Sequence, residues 1–187
     1  SEQHRRASSI YEKSIIPELA RNDIRIIKLH ELSTKQASDL KSHFERHIFP
    51  VLTPLAVDPA HPFPFISNLS LNLAVLLVDR NDRSLRFARV KVPSLLPRLQ
   101  TVEKAKTVIL LEELIAAHLD MLFPGMEISS QDPFRLTRDA IIDLNMRGSE
   151  DLREAMESGL LRQRLSSPAV RLEIAEDMAE EVSSLLY

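Results

Sequence analysis

The sequence predicts an α+β fold: a mixed or antiparallel sheet with a central hairpin, packed with helices and preceded by a helical lead-in. The longest apolar run, Leu71 to Val78, alternates between two faces as a central strand does. Asn81 and Asp82 then form a turn before a second strand pattern, which predicts an antiparallel hairpin. Apolar residues at helical spacing, before and after the hairpin in the sequence, predict the helices of this fold.

Residues 1–22 are predicted to be one or two helical pieces that end a neighbouring domain, and residues 23–187 are predicted to form the main domain. The apolar residues of the first part, Ile10, Ile15 and Leu19, recur at a loosely helical spacing. Pro17 is expected to break this run, because a proline inside a helix removes a hydrogen bond. Residues 24–27, IRII, follow as a short β-branched strand.

A helix is predicted over residues 34–49. Ser33 and Gln36 match a capping box, in which each side chain bonds the backbone of the other residue. Apolar residues then recur every three or four positions, at Ala37, Leu40, Phe44 and Ile48. Pro50 is expected to end the helix.

Residues 50–64 are predicted to be a stiff, extended connector that is neither helix nor central strand. Five prolines fix φ and remove backbone donors along it, at Pro50, Pro54, Pro59, Pro62 and Pro64. The apolar residues expected to fix the connector to a core are Phe63, Phe65 and Ile66. Asn68 and Ser70 are expected to bond local backbone where the next strand begins.

Two basic residues share one face of the hairpin's second strand. Arg89 and Lys91 are two positions apart, which places their side chains about 7 Å from each other. They form either a solvated or interface surface, or a contact with phosphate or nucleotide.

Arg138 interrupts the apolar face of a strand predicted for residues 134–144. It either pairs with a buried carboxylate or faces a cleft that holds an anion, because an unpaired buried charge is costly. Arg171 belongs to a cluster with Arg162 and Arg164 that suits either phosphate binding or docking on a partner surface.

The same periodicities predict the remaining elements. They are a strand at residues 108–111, a helix that follows it and ends at Pro124, a helix after Ser149, a strand at residues 170–174, and a last helix with Met178 and Val182.

Composition excludes several kinds of site. With 187 residues and 44% hydrophobic content the chain suits one ordinary core, and the lack of cysteine excludes disulfides and thiolate ligands. Three glycines are too few for a glycine-rich phosphate loop. The net charge of −3 argues against a general polyanion surface, so no specific nucleic acid is expected as a partner. No apolar run approaches the roughly 20 residues of a membrane helix, and a cytoplasmic location is expected.

The histidines leave alternatives open. His43 and His47 share one helix face at the i, i+4 spacing of zinc peptidases, but Phe44 stands where those enzymes carry a carboxylate. They are either ligands or solvated histidines, and we predict no metal site. His61, in the connector, is either a proton carrier or a turn residue bonded to backbone.

Five segments together resemble the signature sequences of bacterial polyphosphate kinase. They are FPVLTPLAVDPAHPFPFISNLSLNLAVLLV (49–78), RFARVKVP (86–93), FRLTRDA (134–140), LRQRL (161–165) and VRLE (170–173). The resemblance covers most of the chain and implies the end of the family's amino-terminal domain followed by its head domain. The signature connector comprises His61, Pro62, Phe63, Pro64 and Asn68.

The resemblance implies that the full-length enzyme is a kinase, a transferase that reversibly moves the terminal phosphate of ATP onto polyphosphate with Mg²⁺ and a phosphohistidine. Such enzymes are typically dimers, in which the head helps to hold the dimer and flanks the tunnel where polyphosphate emerges. The catalytic domains and the phosphorylated histidine would lie outside this chain. We therefore predict that the chain alone is inactive, with no catalytic residue and no cofactor, and that its partners are its own catalytic domains, a second copy and polyphosphate.

Two rival functions come from other classes. In the first, Arg89, Lys91, Arg138 and Arg171 form the basic groove of a free-standing module that binds a phosphate polymer or nucleic acid. In the second, His43 and His47 form the centre of a small metal-dependent hydrolase.

Overall fold

The computed structural model describes residues 2–57, 65–103, 106–139 and 168–186. The chain divides into two compact units, one made of Ser1–Pro54 with Val92–Ile128 and the other of Leu55–Lys91 with Ser129–Tyr187. Each unit therefore combines two stretches that are distant in sequence.

Strands and helices both occur throughout the described residues. The strands are β1 (Arg25–Ile26), β2 (Pro54–Val57), β3 (Leu71–Asp79), β4 (Leu85–Lys91), β5 (Leu99–Glu103), β6 (Thr107–Leu110), β7 (Met126–Arg138) and β8 (Ala169–Ile174). The α-helices are α1 (Glu2–Ile10), α2 (Ile16–Arg21), α3 (Thr34–His43), α4 (Leu111–Ala116), α5 (Leu119–Leu122) and α6 (Glu180–Leu186). The predicted α+β class with a helical lead-in is confirmed.

The lead-in stays helical across Pro17, contrary to the expected break. A π-helical turn, Tyr11–Ile15, joins α1 to α2, and Pro17 lies at the start of α2. In the first turn of a helix the missing proline N–H removes no intrahelical bond, so the proline is tolerated. None of the side chains that the structure describes in α1, this turn or α2 is buried.

The first unit contains a small mixed sheet in the order β1-β6-β5, where β1 runs parallel and β5 antiparallel to β6. The short strand predicted over residues 24–27 is thus confirmed. The helix predicted after β6 is divided, because His118 leaves the helical conformation with φ −125° and ψ 26°, which separates α4 from α5. The fully buried side chains of this unit include Phe44, Ile48, Leu111, Leu114 and Ile115.

The capping box before α3 is confirmed. The Ser33 Oγ accepts a hydrogen bond from the Gln36 amide at 3.3 Å, and the Gln36 side chain accepts one from the Ser33 amide at 2.9 Å. The helix continues over the predicted length, but it widens into a π-helical turn at Phe44–Ile48 and ends in a 3₁₀ turn at Phe49–Val51.

The connector begins differently from the prediction. Pro50 lies within the 3₁₀ turn, and Pro54 opens β2 at the edge of the larger sheet. An edge strand tolerates proline at its first residue because no ladder bond is lost there. Residues 58–64, with His61, Pro62, Phe63 and Pro64, lie outside the described residues.

The second unit contains a five-stranded sheet in the order β2-β4-β3-β7-β8. The predicted central hairpin is confirmed: β3 and β4 are antiparallel, with a register that runs from Asn72 opposite Lys91 to Val78 opposite Leu85. β7 and β8 are also antiparallel. Within β3 the residues from Asn72 to Leu77 are all buried, as expected of a central strand.

One face of this sheet carries the core of the second unit. Its buried members are Ile66, Ala74, Leu76, Phe87, Phe134, Leu136 and Val182. Val182 comes from α6, which packs on the sheet through the apolar side predicted from the sequence. The strand predicted over residues 134–144 begins earlier, at Met126, and is described as far as Arg138. The helix predicted after Ser149, with Arg162 and Arg164, lies outside the described residues.

A candidate anion site

Two arginines of the second unit bind the backbone that leads into β3, here called the approach segment (residues 65–70). The Nη1 of Arg89, on β4, donates to the Phe65 carbonyl at 3.3 Å. The Nε of Arg138, at the end of β7, donates to the Ile66 carbonyl at 2.7 Å. These carbonyls belong to adjacent residues, so both arginines bind the same part of the approach segment.

The approach segment is also fixed by bonds to β7. The Asn68 Oδ1 accepts a hydrogen bond from the Arg138 amide at 2.8 Å, and the Leu69 amide donates to the Leu136 carbonyl at 2.8 Å. The local bond predicted for Asn68 is therefore wrong, since its partner lies 70 residues away. The local bond predicted for Ser70 is confirmed, because its Oγ donates to the Ser67 carbonyl at 2.7 Å.

Arg138 stacks on an aromatic ring of the same segment. The central carbon of its guanidinium lies 4.1 Å from the centroid of the Phe65 ring, a contact worth about 0.5–1 kcal/mol at an exposed site. Phe65 is 46% exposed, so Ile66, at 2% exposure, fixes the segment to the core and Phe65 does not. Partial burial lowers the pKa of the Arg138 guanidinium from its ordinary value.

Arg89 is the more deeply buried of the two cations, with 6% of its surface exposed. Among the described residues, its bond to Phe65 is the one hydrogen bond it makes, and its Nε has no partner. Desolvation lowers the pKa of this guanidinium, because burial disfavours its charged form. Arg89 is thus a buried cation beside neutral groups and does not lie on a solvated surface.

Asn72 adds a second incompletely bonded group to the same face. It is fully buried, and its amide nitrogen donates to the Ser70 carbonyl at 2.9 Å and to the Ser70 Oγ at 3.1 Å. Its Oδ1 has no partner within the described residues. Asn72 is not among the site residues predicted from the sequence. Its position, a polar residue at the start of a strand face that is otherwise apolar, could have indicated a buried polar group.

The strand register shows which basic residues share a face. Residues opposite each other in an antiparallel pair point to the same side of the sheet. Asn72 is opposite Lys91 and Ala74 is opposite Arg89, and Ala74 belongs to the core cluster. The face that carries the core therefore ends in a cationic region, formed by Arg89, Lys91 and Arg138, which we call the cationic end.

Arg171 is not part of the cationic end. It is opposite Thr137 on β7, whereas its neighbour Leu172 is opposite Leu136 of the core, so Arg171 points to the other side of the sheet. Its guanidinium pairs with the Glu173 carboxylate at 2.9 Å. The structure brings three of the four predicted basic residues to one face and leaves Arg171 on the opposite face.

The histidine pair lies in the first unit. The His43 and His47 ring centroids are 5.0 Å apart, and the His43 Nε2 is 3.2 Å from the Gln100 Oε1. Within residues 2–57, 65–103, 106–139 and 168–186, no three histidine, cysteine or acidic side chains are grouped as a metal site requires. Among these residues, the structure therefore adds no third ligand to the two histidines.

Comparison with known proteins identifies the family of this fold. The family described as "Polyphosphate kinase middle domain" matches residues 35–187. The chain belongs to the polyphosphate kinase family. The resemblance seen in the signature sequences is thereby confirmed, and the chain corresponds to the middle, or head, domain.

Polyphosphate kinases of Streptomyces and Mycobacterium species are similar to almost the whole chain. The Streptomyces coelicolor polyphosphate kinase is 45% identical over 181 residues, which cover 97% of this chain and 24% of that protein. The Mycobacterium ulcerans polyphosphate kinase is 44% identical over 191 residues, with 97% and 26% covered. The chain therefore spans about a quarter of the length of the polyphosphate kinases that it matches.

A solved structure shares the fold. The crystal structure of polyphosphate kinase from Porphyromonas gingivalis matches 99% of this chain, over 26% of the length of that protein, with a TM-score of 0.77 and 24% identity.

In the described part of this polyphosphate kinase domain, no helix combines the length and apolar character needed to cross a membrane.

Proposed function

We propose that this chain is the non-catalytic head-domain portion of a cytoplasmic polyphosphate kinase that reversibly transfers the terminal phosphate of ATP to polyphosphate. In this proposal residues 1–22 end the amino-terminal domain, and residues 23–187 form the head domain. The head supports assembly of the dimer and flanks the path of polyphosphate. The observation that carries the proposal is the match of the family's middle domain over residues 35–187.

The composition of the chain supports a non-catalytic role. Phosphoryl transfer from ATP requires groups that hold the nucleotide phosphates and Mg²⁺. Three glycines in the whole sequence do not suffice for a glycine-rich phosphate loop. The nucleotide, the metal and the phosphorylated histidine are assigned in this proposal to the catalytic domains of the full-length enzyme, which the chain would meet as its own partners.

The cationic end supports a place beside the polyphosphate path. Arg89, Lys91 and Arg138 concentrate positive charge on one face of a chain whose net charge is −3. A local group of cations in an acidic chain suits contact with a short section of a polyanion and does not suit binding of the polymer along a wide surface. The rival groove that includes Arg171 is not favoured, because Arg171 lies on the opposite face.

The proposal is tested with the purified 187-residue chain and with the full-length enzyme that contains it. We expect the chain alone to show no transfer between ATP and polyphosphate with Mg²⁺ present, and sedimentation velocity to show a dimer at micromolar concentration. Turnover by the chain alone would contradict the non-catalytic assignment. A strictly monomeric mass would contradict the role of this portion in assembly.

A further inference from the structure

We propose that the cationic end binds the terminal phosphate group of a phosphate chain, with Arg89 as the deepest cation and Lys91 and Arg138 beside it. The inference rests on the proposed function only for the identity of the ligand, a linear polyphosphate. The site is defined by the geometry of β3, β4 and the approach segment.

The first argument is the incomplete bonding of Arg89. A guanidinium carries five N–H donors, and within the described residues Arg89 uses one of them, at a distance of 3.3 Å. This distance exceeds the usual range for N–H to oxygen bonds, about 2.7–3.2 Å, so the bond to the Phe65 carbonyl is weak. A buried cation with so few partners is stabilised by an anion, and phosphate oxygens match the fork of an arginine.

The second argument is that a bound anion can replace the weak bond between Arg89 and the Phe65 carbonyl. An oxyanion that accepts from Arg89 exchanges a weak bond to a neutral carbonyl for a charge-assisted bond. The approach segment keeps its position during this exchange, because Arg138 holds Ile66 and Asn68 holds the end of β7. Phe65, whose carbonyl accepts from Arg89, is itself 46% exposed, so the approach segment is open to solvent at this residue.

The third argument concerns which phosphate the site prefers. Asn72 lies diagonally next to Arg89 on the same face, and its buried Oδ1 needs a donor. The terminal phosphate of a polyphosphate chain resembles a group with a second pKa of about 6, so near neutral pH a doubly charged form coexists with a minor form that keeps one proton. The form that keeps this proton can accept from Arg89 and donate to the Asn72 Oδ1, whereas an internal phosphate unit has no proton to donate at this pH.

The experiment compares two ligands of equal phosphorus content by isothermal titration calorimetry of the 187-residue chain. Linear tripolyphosphate has chain ends, and cyclic trimetaphosphate has none. We expect tripolyphosphate to bind and trimetaphosphate to bind at least about tenfold more weakly, with both affinities falling as salt is raised. Equal affinities would overturn the assignment to a chain end.

Variants test the residues. Arg89→Gln is expected to weaken tripolyphosphate binding by about tenfold or more, because a hydrogen bond to a charged group is lost. Lys91 is half-buried, and its side chain makes no hydrogen bond or ion pair with the described residues. Lys91→Gln is expected to weaken tripolyphosphate binding about threefold, and it tests the site even if Arg89→Gln fails to fold. The matched control is Arg171→Gln, on the opposite face, with unchanged affinity expected.

No detectable binding, or equal loss in the Arg171→Gln control, would overturn the site. These outcomes are independent of the sedimentation and turnover tests of the proposed function. A dimeric, inactive chain that does not bind tripolyphosphate would keep the head-domain role and remove this site.

Discussion

Arg98 and Arg89 differ in the group that accepts hydrogen bonds from the guanidinium. For Arg98 this group is a carboxylate, and for Arg89 it is a backbone carbonyl. Arg98 forms a two-pronged ion pair with the buried carboxylate of Glu112, and hydrogen bonding to that carboxylate raises the pKa of Arg98. Arg89 has a single carbonyl among the described residues, and burial lowers its pKa. The first is an arginine paired with a carboxylate, and the second is a buried arginine whose partner among the described residues is a neutral carbonyl.

The bond between Asn68 and the Arg138 amide gives a prediction for stability. Asn68→Ala removes the acceptor and is expected to lower the free energy of unfolding by about 1 kcal/mol, which is the usual net value of such a bond. The measurement is the urea midpoint. Asn68→Asp keeps an acceptor at this position and should retain most of the stability. Equal losses in both variants would show that the hydrogen bond is not the cause.

Asp132 gives a prediction for pH dependence. Burial, and then the nearby Asp177 carboxylate, raise the pKa of Asp132 above its usual range. Its protonated form is therefore favoured in the folded state, and this stabilisation is lost as pH rises through the raised pKa. At pH 7 the ionised Asp132 destabilises the fold.

Asp132→Asn is accordingly expected to raise the melting temperature at pH 7 by on the order of 1–2 °C, a small value because solvent screens a partly exposed group. The gain should shrink as pH falls toward 4. Asp177→Asn should give a smaller gain, since it removes the second cause only. A lower melting temperature for Asp132→Asn at pH 7 would contradict this account.

Among the elements, α3 depends on its capping box. Ser33→Ala removes the acceptor for the Gln36 amide and is expected to cost about 1 kcal/mol in the free energy of unfolding. Ser33→Asp should preserve stability, because aspartate caps equally well. The test is chemical denaturation followed by circular dichroism. If Ser33→Asp lost as much as Ser33→Ala, capping would not be the reason.

The elements that could be predicted from the sequence are those set by neighbouring residues. The capping box of α3, the alternation of β3 and the hairpin turn all depend on positions a few residues apart, and the structure confirms them. The helix break predicted at Pro17 is wrong, because a proline interrupts a helix only in its interior, and Pro17 lies in the first turn of α2. The edge strand β2 was missed because its partner, β4, lies beyond the connector.

The candidate site was predictable only in part for the same reason. Alternation correctly placed Arg89 and Lys91 on one face, but it could not show that the approach segment covers Arg89. The bond from Asn68 to β7 and the separation of Arg171 from the other cations depend on the register of β7 and β8, which no local pattern encodes. The sequence shows which positions of the site carry basic side chains. How deeply each of these side chains is buried depends on the tertiary structure.

At the scale of the whole molecule, each unit has a buried core of its own. Val182 of α6 is fully buried in the second unit, and Val182→Ala is expected to cost about 2 kcal/mol there. Amide exchange in β3 and β4 should accelerate by about tenfold or more, because opening of that core becomes easier. Exchange in β6, in the first unit, should change much less.

Hydrogen exchange followed by mass spectrometry measures this difference. The matched control is Leu185→Ala on the same helix, since Leu185 is 49% exposed and its truncation removes little buried surface. Equal acceleration in both units after Val182→Ala would show that the chain opens as a single cooperative body.

The interleaving of the two units also fixes an order of events during translation. The first unit becomes complete when Ile128 has left the ribosome, whereas the second needs residues of α6, up to Leu186. At about 5–20 residues per second, the final stretch takes several seconds to synthesise. During that interval the β3–β4 hairpin has emerged but lacks β7 from Ser129 onward, β8 and the helix that covers it. Its apolar face is then available to chaperones at a defined stage of biosynthesis.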